Sequence, residues 1–384
     1  MTTKNVLITG GAGFIGGAVA QRLVAAGHAV TILDNFSEQV HDTQQLPQAL
    51  ADAVTLIRAD VRDANALREA IRGQHCIVHL AAETGTGQSM YRIEHYFDVN
   101  VQATATLLDI LQNDPDKSLE TLVVASSRAI YGEGAYACAK HGTVYPAARG
   151  AAEMAAGQFD PLCPRCGGGV TLVPTSETAP FSPSSFYGLT KQVQEQAVLL
   201  FAQTRNINGF ALRYQNVYGP GQSLQNPYTG ILAVFSNLAR QGKDIEIYED
   251  GAESRDFVYI DDIAEVTARC VEYDNRFVGA VNVGSGVGTD VLTVASRIAT
   301  FFDSPGKIVV TGAYRIGDIR HNVADVAQLE ALLDIRPATP FEAGLEAFLS
   351  WAQGQNARDK TAYDRSVGEL RRHNLLIDTR SDGG

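Results

Sequence analysis

A short apolar run, Val6-Leu7-Ile8-Thr9, passes without a break into Gly10-Gly11-Ala12-Gly13-Phe14-Ile15-Gly16, and helical spacing begins at once. Few sequence features restrict a fold as tightly. Glycines suit a tight turn, let the backbone approach a pyrophosphate, and let the helix pack close to the strand with its first N–H groups facing phosphate charge. A second strand, Ala29-Val30-Thr31-Ile32-Leu33, ends at Asp34-Asn35. A carboxylate there can accept hydrogen bonds from both hydroxyls of an adenosine ribose and would repel a 2′-phosphate. Strand, glycine loop, helix and acidic strand end together predict a dinucleotide site that prefers NAD to NADP. Asp60-Val61 follows the next strand, where it can meet the adenine; Asp60 reads equally well as the N-cap of the helix after it.

The same alternation continues through the first half of the chain. VLIT precedes a helix over 13–26, then come AVTIL, VTLI with a helix over 63–71, CIVHL with a helix over 91–112, and TLVVAS. This predicts βαβ units in an α/β fold, a Rossmann-type doubly wound parallel sheet. Residues 133–182, rich in Gly, Pro, Ala and Cys, interrupt the pattern and read as an insertion at the sheet's edge. A helix over 185–205 and the strand GFALRY resume it. Beyond 216, helices near 229–240, 261–272, 290–302 and 340–353 predict a smaller α/β substrate lobe. The expected division is a cofactor domain over 1–215, a lobe over 216–355, and a peripheral tail over 356–384 with one helix at 363–373.

A chain of 384 residues, 45% hydrophobic and 19% charged, can build such a core. Its net charge of -12 argues against a surface that tracks nucleic acid, while leaving room for a local basic pocket. The N-terminus has no signal-peptide pattern and no apolar stretch is long enough for a bilayer, so a cytoplasmic protein without membrane attachment is expected.

Tyr187 and Lys191 in FYGLTK are four residues apart and share a helix face. A neighbouring ammonium and the positive ring of NAD⁺ favour the phenolate, which makes Tyr187 usable as a base. Ser127, at the end of the fifth strand, is the natural donor to the same substrate oxygen; its neighbour Ser126 is expected to turn into the fold.

These motifs do not stand alone. GGAGFIG, LDN (33–35), HLAA (79–82), DVN with Asn100, SSRAIYG, YGLTK, RYQNVYGPGQ (213–222), ESRDFVYIDD (253–262), NVGSG (282–286) and GDIRH (317–321) occur in this order. Over residues 4–352 the chain resembles the nucleotide-sugar epimerase/dehydratase family of extended short-chain dehydrogenases. The resemblance implies that Leu80, Ala81, Ala82 and Asn100 flank the cofactor, and that Asn216, Arg255 and Arg320 contact a nucleotide diphosphate, a task that suits bidentate guanidinium groups. Each Arg reads otherwise as a surface ion pair. It also implies that Asn226 and Tyr228 close a loop over base and sugar, and that helices 91–112 and 185–205 build a homodimer.

Dehydratases of the family carry an Asp-Glu pair after the Ser/Thr; here Arg128 and Ala129 stand there, which argues against that chemistry. What remains is C4 epimerisation through a transient 4-keto sugar, or a 4-ketoreductase using NAD(P)H. A non-catalytic nucleotide-binding protein on this fold is the other class, and the presence of both Tyr187 and Lys191 argues against it. AAETGTGQSMY (81–91) and SSRAIYGEG resemble a branch acting on a dTDP-6-deoxyhexose such as dTDP-L-rhamnose. In that reading Glu83, Thr84 and Thr86 line the sugar pocket; they read otherwise as caps of the next helix.

The insertion carries Cys138-Ala-Lys-His141 and Cys163-Pro-Arg-Cys166-Gly-Gly. Two such knuckles match the ligand spacing of a structural zinc site. A zinc-stapled insertion is expected to shape a lid beside the active site; the other reading is a loop with reduced, unligated thiols. Cys76 and Cys270 sit in apolar segments and are expected in the core.

Overall fold

The computed structural model describes residues 3–41, 43–113, 118–224, 226, 230–355 and 361–378. From the N-terminus, β1 (Asn5–Thr9), β2 (Ala29–Asp34), β3 (Thr55–Arg58), β4 (Cys76–His79) and β5 (Thr121–Ser127) enter one sheet. The chain then leaves it for a small antiparallel sheet of β6 (Tyr136–Cys138), β7 (Gly142–Val144) and β8 (Thr171–Leu172), and returns as β9 (Asn208–Tyr214). In the smaller lobe lie β10 (Asn216–Tyr218), β11 (Ile245–Ile247) and β12 (Ser254–Tyr259), before β13 (Val278–Val283).

The large sheet has seven strands in the order β13-β9-β5-β4-β1-β2-β3, and every pairing in it is parallel. Order reverses between β1 and β4, so the C-terminal ends of these strands open the crevice where such sheets bind dinucleotides. β4 and β5 have no exposed residue. Their apolar character on both faces follows from helices covering each side, with Val6, Ile8, Val78 and Val123 in one core and Leu7, Ile77, Leu122 and Val124 in the other. Cys76 and Cys270 belong to the first core.

The chain does not divide at 215. Strand β13 forms the sheet's edge beside β9, and the helix Ile260–Glu272 packs on the helix Phe14–Ala25 across the sheet's face. The smaller lobe is therefore two excursions, with its own core of Phe235, Ile247, Phe257, Ile298 and Phe348. The expected tail helix is present as Thr361–Arg372, and the described part of the tail, 361–378, is docked rather than peripheral: Leu376–Ile377 pairs antiparallel with Tyr314–Arg315.

Candidate active site

Gly10 has a φ of +71°, and a Cβ there would lie 2.8 Å from the Ala81 nitrogen. A Cβ on Gly16 would lie 2.2 Å from the Gly10 carbonyl oxygen. Both positions exclude a side chain, so the helix Phe14–Ala25 starts hard against the end of β1, and its N-cap, Gly13, offers no capping side chain to its first N–H groups. At the end of β2, Asp34 accepts from the Ala12 N–H at 3.0 Å and the Phe36 N–H at 2.8 Å, with His41 Nε2 at 3.3 Å. Asn35 donates to Asp60 at 2.9 Å. Hydrogen bonds from Arg62 hold the Asp60 carboxyl well below the usual range. Asp60 is not the helix cap; Asp63 is, accepting from Asn65 and Ala66 N–H groups.

A cleft of about 750 Å³ runs from this corner across the sheet end. Gly10, Gly13, Phe14, Ile15, Gly16, Asp34, Asn35, Asp60, Val61, Leu80, Ala81 and Ala82 line one part of it. Glu83, Thr84, Ser127, Tyr187, Lys191 and Asn226 line the rest. Asn100 does not. It is fully buried in a π-helical turn, Phe97–Gln102, and holds the cleft wall by accepting from the Glu83 N–H at 2.8 Å and donating to the Glu83 carbonyl at 3.1 Å. Thr86 is also absent from the lining; it opens the short helix Thr86–Ser89, whose N-cap is Gly85. The cleft adds residues that no sequence motif singled out, among them His41, Arg62 and His95, the last 3.1 Å from Glu83.

Ser127 ends β5 inside the cleft. The helix Phe186–Arg205 is capped by Ser185, which accepts from the Gly188 N–H at 3.1 Å, and it places Tyr187 and Lys191 on the face turned to β5. Gly188 allows this approach, because a Cβ there would lie 2.5 Å from the Ala129 carbonyl. Tyr187 and Ser127 line the same part of the cleft, while Lys191 donates to the Ala125 carbonyl at 3.0 Å. Burial pushes the Lys191 ammonium down to about 7. Burial also pushes Tyr187 up; the Ser127 hydroxyl and the Arg128 charge pull the other way. Ser126 turns inward and donates to Glu195 at 2.6 Å.

Near Tyr187, but outside the residues that line the cleft, is a cationic corner, so Arg128, Asn216 and Arg255, expected at the substrate, do not line it. Arg128 donates to Asn216 at 2.9 Å, and burial pushes its guanidinium down to about 10. Arg255 meets Asp318 at 3.0 Å and also donates to the carbonyls of Ile319 and Arg320. Arg315, unmarked by any motif although it sits two residues before Gly317, is 3.6 Å from Asp318, and its buried Nε has no hydrogen-bond partner among the described residues. Two guanidinium groups thus face one carboxylate, and the Arg128 charge adds to the field that holds Asp318 ionised. Arg320 is not part of this corner. It is 2% exposed and taken up by Asp160, Glu249 and Asp250 at 2.6–3.0 Å, so as a diphosphate contact it is corrected. Tyr228 lies outside the described residues.

No residue of 133–182 lines the cleft, so the insertion is not its lid. It does bring Cys138, His141, Cys163 and Cys166 together, with ligand atoms within 4.8 Å of one another, a group able to hold a metal ion.

A model of the NAD dependent epimerase/dehydratase family matches residues 6–156 and 166–284. The chain belongs to that family. Among its epimerase/dehydratase relatives, a dTDP-L-rhamnose 4-epimerase of Burkholderia thailandensis is 40% identical, with 91% of this chain and 94% of that protein covered. A UDP-N-acetylglucosamine 4-epimerase from Methanobrevibacter ruminantium, solved with UDP-N-acetylmuramic acid, has a TM-score of 0.75 at 27% identity, covering 93% of this chain and 100% of that one. A Thermus thermophilus UDP-glucose 4-epimerase solved with NAD has a TM-score of 0.72 at 26% identity, over 92% and 100% of the two chains. The break in the family match, 157–165, falls inside the insertion. Among the described residues no helix is long and apolar enough to cross a membrane.

Proposed function

We propose that this protein is an NAD-dependent 4-epimerase of a dTDP-6-deoxyhexose, with dTDP-L-rhamnose as its substrate. The observation that carries the reading is that Ser127, Tyr187 and Lys191 line the same cleft as the glycine cradle and Asp34. The likeness to the Burkholderia thailandensis enzyme supports the choice of sugar. The residues fit NAD. Side-chain-free Gly10 and Gly16 leave the helix N–H groups open to a pyrophosphate, and Asp34 stands where ribose hydroxyls would meet it. When bound, NAD⁺ accepts the C4 hydride and gives it back.

The protein's own groups do the remainder. Tyr187 Oη takes the proton of the C4 hydroxyl as the C4–H bond breaks, leaving a ketone at C4. Ser127 donates a hydrogen bond to that oxygen, and the Arg128 charge favours the phenolate. After the ketone has turned over in the cleft, Tyr187 returns its proton to the C4 oxygen. Arg128 and Ala129 follow Ser127 directly, so no carboxylate stands there to expel water, which disfavours a dehydratase. In this reading the corner of Arg128, Arg255 and Arg315, which borders the cleft without lining it, would take the diphosphate, and Glu83 and Thr84, which line the cleft, the sugar. The functional unit in this reading is a homodimer through the helices 91–112 and 185–205.

The test is to incubate purified protein with dTDP-L-rhamnose and no added nucleotide cofactor. The expected product is its C4 epimer, with no net change in NADH. Stoichiometric consumption of added NADH without epimer would make it a ketoreductase instead.

A further inference from the structure

We propose that Cys138, His141, Cys163 and Cys166 bind one zinc ion in a closed structural site, and that the stapled insertion is a platform fixing the Arg255–Asp318 corner beside the cleft. The metal assignment stands on its own; the platform role rests on the function proposed above.

Zinc held by thiolates at about 2.3 Å in a tetrahedron places neighbouring sulfurs roughly 3.8 Å apart. Cys138 and Cys166 Sγ are 3.9 Å apart, and His141 Nδ1 is 3.5 Å from the sulfurs of both Cys138 and Cys163. That spacing is far too long for a disulfide, and all these cysteines are free. An imidazole nitrogen converging on two sulfurs is the arrangement of ligands around a shared ion. The backbone is shaped to the same end. The Cys163 carbonyl accepts from the Gly167 N–H at 2.8 Å and the Cys163 N–H donates to Gly168 at 2.8 Å, closing a knuckle through Gly167 at φ +67°. The other pair sits on the turn between β6 and β7, where the His141 N–H reaches the Cys138 carbonyl.

The insertion needs such a staple. Its buried apolar cluster is only Tyr136, Cys138, Val144 and Cys163, with Val170 and Leu172 beside them. With a core this small, metal binding would add folding free energy to the polar contacts that the insertion makes with the rest of the chain.

What the insertion holds is the segment behind the cationic corner. Glu133 accepts from the Arg320 N–H at 2.8 Å and from Arg149 Nε at 2.9 Å. Arg149 in turn donates to the Asp318 carbonyl at 3.1 Å. Further along, Thr175 clasps Val323 and Asp325 by backbone hydrogen bonds of 2.8 and 3.0 Å. Residues 318–325 are thus pinned by the insertion, and Arg255 is anchored on the Asp318 carboxylate and the Ile319 and Arg320 carbonyls. Glu133, Arg149 and Thr175 are positioning residues.

Metal analysis of the full chain, purified without added metal or chelator, should give close to one zinc per chain. Less than a tenth of an equivalent overturns the site. Cobalt(II) exchanged into it should give the intense visible absorption of tetrahedral thiolate coordination. Cys163→Ser with Cys166→Ser should lose the metal, whereas Cys76→Ala should keep it; metal retained in the double variant also overturns the site. For the platform, stripping zinc with a chelator should weaken dTDP binding about tenfold by calorimetry and leave NAD content unchanged. His141→Ala should do the same, and His141→Cys should rescue both zinc and dTDP affinity. Unchanged dTDP affinity after metal loss overturns the platform role. Zinc-loaded protein that binds no dTDP at all overturns the proposed function and the platform with it, while metal content still judges the site.

Discussion

Burial favours the neutral phenol of Tyr187, and the Ser127 hydroxyl and Arg128 charge partly offset that. If Tyr187 is the proton-exchanging group proposed above, its removal should be felt in chemistry rather than binding. Tyr187→Phe is expected to lower kcat about 10²–10⁴-fold with KM within a few-fold of wild type, as measured by epimer formation. Glu253 offers a test of the electrostatics behind the cleft. Burial raises its carboxyl to about 7, and its Oε2 has no hydrogen-bond partner among the described residues. Its unfolded value is 4.5, so between 4.5 and 7 the folded chain binds the extra proton, and stability falls as pH rises through that window. Glu253→Gln should therefore be stabilising by up to about 3 kcal/mol at pH 8 and nearly neutral at pH 5, read from urea midpoints. An equal effect at both pH values would show that Glu253 does not hold that proton.

At the level of elements, what sequence pattern could read was what local chemistry decides. The 3.6-residue spacing located the helix Phe186–Arg205 to within a residue, and the runs VLIT and TLVVAS marked β1 and β5, because burial on both faces leaves no polar alternation to blur them. The glycine cradle, Asp34, Ser127 and Tyr187 were legible because each stands at an element end, and Lys191 because it lies one helical turn beyond Tyr187. Pairings between distant segments were not. Nothing local tells that Val278–Val283 returns to the large sheet, or that Arg320 spends its charge on Asp160, Glu249 and Asp250 while Arg315 turns to Asp318. The docked tail is a third case. Leu370 packs on Gly87, His373 stacks on Tyr91 at 4.7 Å, and Glu369 accepts from the Tyr91 hydroxyl at 2.6 Å, so this polar-looking helix braces the segment after Glu83 and Thr84. Leu370→Asp should undock it. The expected outcome is a KM for the nucleotide sugar raised roughly tenfold, about 1.4 kcal/mol, with NAD content unchanged and new protease cleavage in the tail. An unaltered KM alongside that cleavage would separate the tail from substrate binding.

For the whole molecule, net charge and local charge point in opposite directions. A chain of net charge -12 nonetheless sets Arg255 and Arg315 against Asp318, the corner proposed to take the diphosphate. In that reading screening acts on the long-range repulsion as well as on the attraction, so the corner would work at contact distance rather than by steering. The remaining question of scale is how many chains make the functional unit. The helix Phe186–Arg205 leaves Leu200 64% exposed, and on the neighbouring helical segment Phe97 and Val101 line a shallow groove together with Glu94, His95, Asp98 and Gln102. Apolar side chains left on the two helices expected to pair are what a second copy would cover, and two helices from each subunit make a four-helix contact with knobs-into-holes packing. Sedimentation equilibrium at micromolar concentration should return twice the chain mass of 41.2 kDa, and Leu200→Asp should shift the distribution to the single-chain mass. Because the helix that carries Leu200 also carries Tyr187 and Lys191, the monomer should keep its NAD yet lose part of its activity as that helix loosens. A wild-type protein that sediments as one chain throughout would remove the dimer, and a dimer indifferent to Leu200→Asp would place its interface elsewhere.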